Sequence, residues 1–263
     1  MCENAIKGKL LTLDRGNSAL KADVWDGNAI VETVVMAPAC IHRQLPALIS
    51  RHVIAGAIYC SVTDDGSRME HLFAEAGVPF WNLTPHSTLG LRVDYASPET
   101  LGVDRIAGCI GAMTLFPATE LLVVDLGTAI TYDRVSARGH FIGGNIAPGV
   151  SLRLKALNAF TARLPKVELE GPVPTWGYDT FTALRAGAIR GIAAEVSYYR
   201  SILPSNARIV LTGGSAPRII PYLEFEYTLE PRLVPIGLKA CLSSFLKSER
   251  TKNTINEKTF NTN

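Results

Sequence analysis

The sequence predicts an α/β protein of two duplicated halves, each a mixed sheet flanked by helices, with a ligand cleft where the halves meet. Three observations carry this. The stretch LTLDRGNSALK (11–21) returns as VVDLGTAITYD (123–133), with Asp14 matching Asp125, Gly16 matching Gly127 and Asn17 matching Thr128. A second apolar strand follows in each half, AIYCSV (57–62) and RIVLTGG (208–214), ending in small polar residues. Helical stretches separate the strands, the pattern of two similar α/β units.

Taken in order, the first strand stops at Asp14. A D-x-G-N turn leads into a second apolar run, in which Val24 aligns with Val135. Asp26-Gly27-Asn28 then turns the chain again, as Ala137-Arg138-Gly139 does in the other half, so each copy reads as consecutive antiparallel hairpins. Helices are expected over about 43–52, 66–76, 103–116, 150–159, 179–202 and 236–247. Ser97-Pro98-Glu99 marks the approach to the third, Pro148-Gly149 the start of the fourth, and Asp179 caps the fifth. GGNIAPGV (143–150) is expected to form a loop of unusual shape. Gly187 and Gly191, four apart, point to close packing of the fifth helix. The boundary falls near Phe116-Pro117-Ala118, giving halves 8–117 and 118–247 and a polar, frayed tail over 248–263.

Composition limits the function. At 263 residues, 47% of them apolar and 19% charged, the chain can bury a substantial core. A net charge of +2 gives no reason to expect a nucleic-acid or anionic-membrane partner. The N-terminal apolar run is too short for a signal peptide, and no run reaches membrane-spanning length. The five cysteines are scattered, without C-x-x-C spacing, and read as buried reduced thiols in a cytoplasmic protein. The five histidines, His42, His52, His71, His86 and His140, show no metal-ligand spacing.

The chemistry lies in the turns. One D-x-G-[N/T] is an ordinary hairpin turn. Two in register, each closing a buried strand, suit a phosphate, because glycine exposes backbone N–H groups and Asn17, Ser18 and Thr128 add donors. Asp14 and Asp125 would repel phosphate unless a cation sat beside them, most simply Mg²⁺, while Lys21 adds a positive charge. In YASPETLGVDRIAG (95–108), Asp104 and Arg105 fall at a helix start. They read either as a solvated helix end or as a carboxylate base beside a cationic anchor.

These motifs, in this order, resemble the type III pantothenate kinases of the actin/sugar-kinase/Hsp70-like superfamily. DRGNSALK resembles that family's first phosphate motif, LGVDR its G-x-D-R motif and VDLGTAITYD its second phosphate motif. GGNIAPGV, GYDT (177–180) and LTGGSA resemble later segments. The resemblance runs from about residue 10 to 245. It implies RNase H-like halves and ATP-dependent phosphorylation of pantothenate, the first step towards coenzyme A, by a phosphotransferase acting on an alcohol. It would make Asp104 the catalytic base. Asp14, Arg15, Gly16, Asn17, Ser18, Ala19, Leu20 and Lys21 would bind ATP, joined by Thr128. Tyr95, Gly102, Val103, Asp104, Arg105 and Thr180 would bind pantothenate. Asp125 would ligate a monovalent cation, K⁺ or NH₄⁺, needed alongside Mg²⁺, and the enzyme would be a homodimer. Two positions depart from the family pattern: Arg15 stands where an apolar or small residue is usual, and Ser18 where threonine is commoner. The alternatives are a kinase of the same superfamily with another small hydroxylated or carboxylate substrate, and a non-catalytic regulatory paralogue.

Overall fold

A computed structural model describes residues 8–64, 66–86 and 89–260, the side chains only as far as residue 249. The chain forms two compact units. The first comprises the chain up to Leu115 together with the stretch from Leu233 onward, and the second is Phe116–Arg232.

In the first unit, β1 (Lys9–Arg15), β2 (Leu20–Asp26) and β3 (Ala29–Met36) form the expected double hairpin. Gly27, with φ +56°, makes the two-residue turn between β2 and β3. Helix α1 (Ile41–Ser50) leads to β4 (Ile54–Ser61), parallel to β1, and α2 (Ser67–Glu75) leads to β5 (Phe80–Asn82), parallel to β4. The strand order is β3-β2-β1-β4-β5. A short β6 (Arg92–Val93) precedes α3 (Val103–Leu115).

The second unit repeats this plan. Its strands β7 (Leu121–Leu126), β8 (Ala129–Val135) and β9 (His140–Pro148) form antiparallel hairpins. After α4 (Val150–Phe160) and α5 (Thr180–Ser201), β10 (Arg208–Thr212) pairs parallel with β7. A short α6 (Ala216–Ile219) separates β10 from β11 (Thr228–Leu229), and α7 (Leu233–Phe260) closes the chain. The order β9-β8-β7-β10-β11 matches that of the first unit strand for strand, with the same parallel and antiparallel senses.

The duplication differs from the sequence alignment in one respect. Asp14 pairs with Lys21, whereas Asp125 pairs with Thr131, so the second turn is one residue shorter. Beyond the turn, Val135 therefore corresponds to Trp25, and Val24 corresponds to Arg134. A slip of one residue exchanges the faces of a strand, so this decides what is buried. Asp23 and Asp133 become equivalent, and both are buried.

Two further expectations are corrected. GGNIAPGV is strand β9 for most of its length rather than a loop, and Gly143, φ +144°, sits next to the irregular register between Arg134 and Val135. The last helix does not stop at 247 but runs to Phe260, in place of the frayed tail; residues 261–263 lie outside the described residues. It also belongs to the first unit rather than to the second half. Helix α7 crosses α3 backbone to backbone: a Cβ on Gly111 would meet the Leu233 carbonyl, and one on Gly237 the Ala107 carbonyl. Further along, Leu246 packs on Gly56, and Phe245 stacks on Trp81 at 6.0 Å. The other helices begin and end within about two residues of expectation. Asp179 caps α5 as expected, accepting from the Thr182 amide at 2.7 Å while the Thr182 hydroxyl accepts from the Asp179 amide at 3.1 Å.

Candidate active site

Strand alternation sorts the functional side chains. In β1, Leu11 and Leu13 join the apolar cluster beneath α1 and α2, with Ala57 and Tyr59 of β4. Asp14 faces the opposite side of the sheet, as Asp125 does relative to Leu122, Val124 and Leu126 in the second unit. Each motif aspartate thus ends a central strand on the face away from the main apolar cluster of its unit.

Asp14 is only partly exposed, with Lys21 as its cross-strand neighbour and Cys60 beside it on β4. Burial raises its carboxyl to about pH 6 from 3.8. The Asp104 carboxylate and, more weakly, Asp23 push the same way, and Lys21 opposes them. The buried Cys60 thiol is raised too, chiefly by burial and then by the charges of Asp14 and Asp104. The fold therefore brings the strand-end aspartate and the G-x-D-R aspartate, 90 residues apart, within electrostatic reach inside one unit. The turn after Asp14 closes by a Gly16 amide bond to the Ala19 carbonyl, 3.1 Å, and leaves Asn17 and Ser18 exposed.

Asp104 lies in the first turn of α3. Its Oδ1 accepts from the Arg105 amide at 2.9 Å and sits so close to Gly102 that a Cβ there would be 2.5 Å away. Arg105 is 8% exposed and packs its stem near the same glycine, so it is not the solvated helix end that sequence alone allowed. Tyr95 is partly buried, and Thr180, exposed, is the first residue of α5.

In the second unit, glycines shape the surroundings of the other turn. A Cβ on Gly149 would strike the Gly127 and Thr128 carbonyls, and the Gly149 amide donates to the Thr128 carbonyl at 2.9 Å. A Cβ on Gly213, φ +91°, would collide with Asp125 Oδ1 and the Leu126 backbone, and the Ser215 amide donates to the Leu126 carbonyl at 2.9 Å. The T-G-G turn thus lies on Asp125. Thr128 itself is exposed beside the N-terminus of α4. Arg153 holds the approach: its Nε donates to the Pro148 carbonyl at 2.7 Å, and its Nη2 donates to Glu195 at 2.6 and 2.7 Å. Tyr132 donates to the same carboxylate at 2.9 Å. The sequence reading missed this Arg153–Glu195–Tyr132 network, which joins three distant segments.

Among the described residues no three His, Cys, Asp or Glu side chains cluster as a metal cage. Asp14 with Asp104 nearby instead suits a hard divalent cation that takes its remaining ligands from phosphate oxygens, the usual habit of Mg²⁺.

Arg15 takes the face opposite Asp14. It lines a cavity with Tyr59, on the α1 and α2 side, and its side chain is not directed at Asp14 or Asp104.

A family model described as type III pantothenate kinase matches residues 10–201. A protein of Porphyromonas gingivalis named type III pantothenate kinase is 38% identical over 238 residues, covering 88% of this chain and 97% of that one. Among solved structures, a Campylobacter jejuni protein named for the Baf family of transcriptional activators aligns with a TM-score of 0.61 at 22% identity, covering 90% of this chain and 99% of that one. An ROK hexokinase from Thermus thermophilus aligns with a TM-score of 0.51 at 15% identity, over 90% and 99%. These structural likenesses are of fold.

Proposed function

The chain belongs to the type III pantothenate kinase family, and we propose that Asp14, Lys21 and Asp104 are the core of its pantothenate phosphorylation site. The enzyme transfers a phosphoryl group from ATP to pantothenate, the step that opens coenzyme A synthesis. The observation behind the assignment of roles is that Asp14, facing Lys21 across β1 and β2, and Asp104, in the first turn of α3, belong to one unit in which the Asp104 charge reaches Asp14.

Phosphoryl transfer asks a protein for positioning and charge neutralisation more than for covalent chemistry. In our reading the turn Asp14-Arg15-Gly16-Asn17-Ser18 and the residues through Lys21 receive ATP phosphates. The backbone of Arg15, rather than its side chain, belongs to that cradle. Thr128 has the same role on the second turn. Asp14, with Asp104 near it, would hold a Mg²⁺ carried with the nucleotide, which would supply positive charge to offset the phosphates. Asp104 orients the attacking hydroxyl of pantothenate and accepts its proton as the bond to phosphorus forms. Tyr95, Gly102, Val103, Arg105 and Thr180 contact pantothenate. Arg105, being mostly buried, presents its charge from a fixed position.

Asp125 is our candidate for the monovalent cation, K⁺ or NH₄⁺. Backbone at Gly213 approaches its carboxylate so closely that a Cβ there would collide with it, and a Cβ on Gly127 would touch the same carboxylate oxygen. We place the enzyme in the cytoplasm, in keeping with the buried thiols of Cys60 and Cys241, the latter pushed up to about 12 by burial. Among the described residues no helix is long and apolar enough to cross a membrane.

A coupled assay with ATP, Mg²⁺, K⁺ and pantothenate, omitting each in turn, tests substrates and ions together. Asp104→Asn should lower kcat by about 10²–10⁴-fold with folding intact. Near-normal turnover by that variant would remove Asp104 from the chemistry. Arg105→Ala should raise the KM for pantothenate far more than that for ATP.

A further inference from the structure

The alternation that turns Asp14 towards Asp104 turns Arg15 away from them. Arg15 and Tyr59 line a cavity of about 920 Å³ within the first unit, past the ends of β1 and β4 and between α1 and α2. That volume suits a metabolite-sized molecule. We propose that this cavity is a second ligand site, distinct from the ATP turns, that binds a phosphate-bearing small molecule through the Arg15 guanidinium.

Two observations meet there. Arg15 Nη1 is buried and has no hydrogen-bond partner, and a charged donor left in that state is costly unless an acceptor arrives. Arg68 stands exposed on the rim as a second guanidinium, with the His42 and His71 rings also lining the opening.

The acid at the site is already engaged. Asp64 accepts from the Tyr59 hydroxyl at 2.9 and 3.0 Å, from the Gly66 amide at 3.0 Å and from the Thr63 hydroxyl at 3.3 Å. Tyr59 stays a donor, because burial raises its hydroxyl to about 12. Glu75, also on the lining, is exposed at the far end of α2. Apolar side chains, Ile41, Met69 and Leu72, complete the wall and suit a ligand with an organic body. Because Arg15 lies between Asp14 and Gly16, an occupant bears directly on the first phosphate turn.

The test is histidine-ring NMR on the full chain at fixed pH and ionic strength, titrated with inorganic phosphate. His42 and His71 report the cavity, and His52, His86 and His140 are controls outside it. Saturable shifts confined to His42 and His71 are expected. Arg15→Met should weaken that binding about tenfold or more, and so should Arg68→Glu, an exposed change that leaves the core untouched. Asp104→Asn should leave the shifts in place, so this site and the kinase assignment fail independently. Absence of shifts, shifts that survive both arginine changes, or an equal response to acetate would overturn the proposal.

Discussion

Asp14 is a carboxylate that the fold holds at a cost. Its folded-state value near 6 lies above the unfolded 3.8, so the native state binds the extra proton and stability falls as pH rises from about 4 to 6. Asp14→Asn should therefore stabilise the metal-free, nucleotide-free protein at pH 7–8 by about 1–3 kcal/mol, while abolishing productive ATP binding. The gap between variant and wild type should be full above about pH 6 and close as pH falls towards 4. Thermal melts in a chelator across that range check it, and a gap that widens in acid would contradict the arrangement. The aspartates of the two D-x-G turns were legible at this scale, because repetition in register is visible in letters. The direction of Arg15 was not. It depends on which face of β1 each residue takes, and that is set by which helices cover the sheet.

At the scale of elements, three glycines make opposite predictions. Gly149 and Gly213 lie where backbone meets backbone, so Gly149→Ala and Gly213→Ala must displace the second turn. Each should cost about 1–3 kcal/mol and raise the KM for ATP. Gly187 is exposed on α5, and a Cβ there would meet nothing within 4 Å of its own chain. Gly187→Ala should stabilise the helix by about 0.5–1 kcal/mol, unless a second copy of the chain packs there. Melting temperatures and ATP kinetics on the three variants separate these cases. Helix starts were legible where a cap or proline marks them, as at Asp179 and Pro148. The end of α7 was not, because its polar C-terminal turns carry no apolar period to read.

For the whole molecule, we expect a homodimer. Phe160, Trp176, Tyr178 and Phe181 of the second unit stand 50–89% exposed, large apolar side chains that a partner surface would cover. Light scattering should give twice the 28.4 kDa chain mass, and Trp176→Ser with Phe160→Ser should shift it to monomer. A wild-type monomer at micromolar concentration would refute the expectation. The division into units was only half legible. A cut near 116 follows from the repeat, but the return of α7 to the first unit does not, since Gly111 and Gly237 show their use only once α3 and α7 cross.

By itself the sequence determined the duplication, the paired hairpins, the starts of the long helices and the family, because these are local patterns of period, turn chemistry and spacing. Tertiary structure alone decided that Asp14 lies within electrostatic reach of Asp104, that Arg15 turns to a separate cavity, and that Asp23 and Asp133 are counterparts. Such facts depend on strand register and on which faces are covered, and one residue more or less in a turn reverses them.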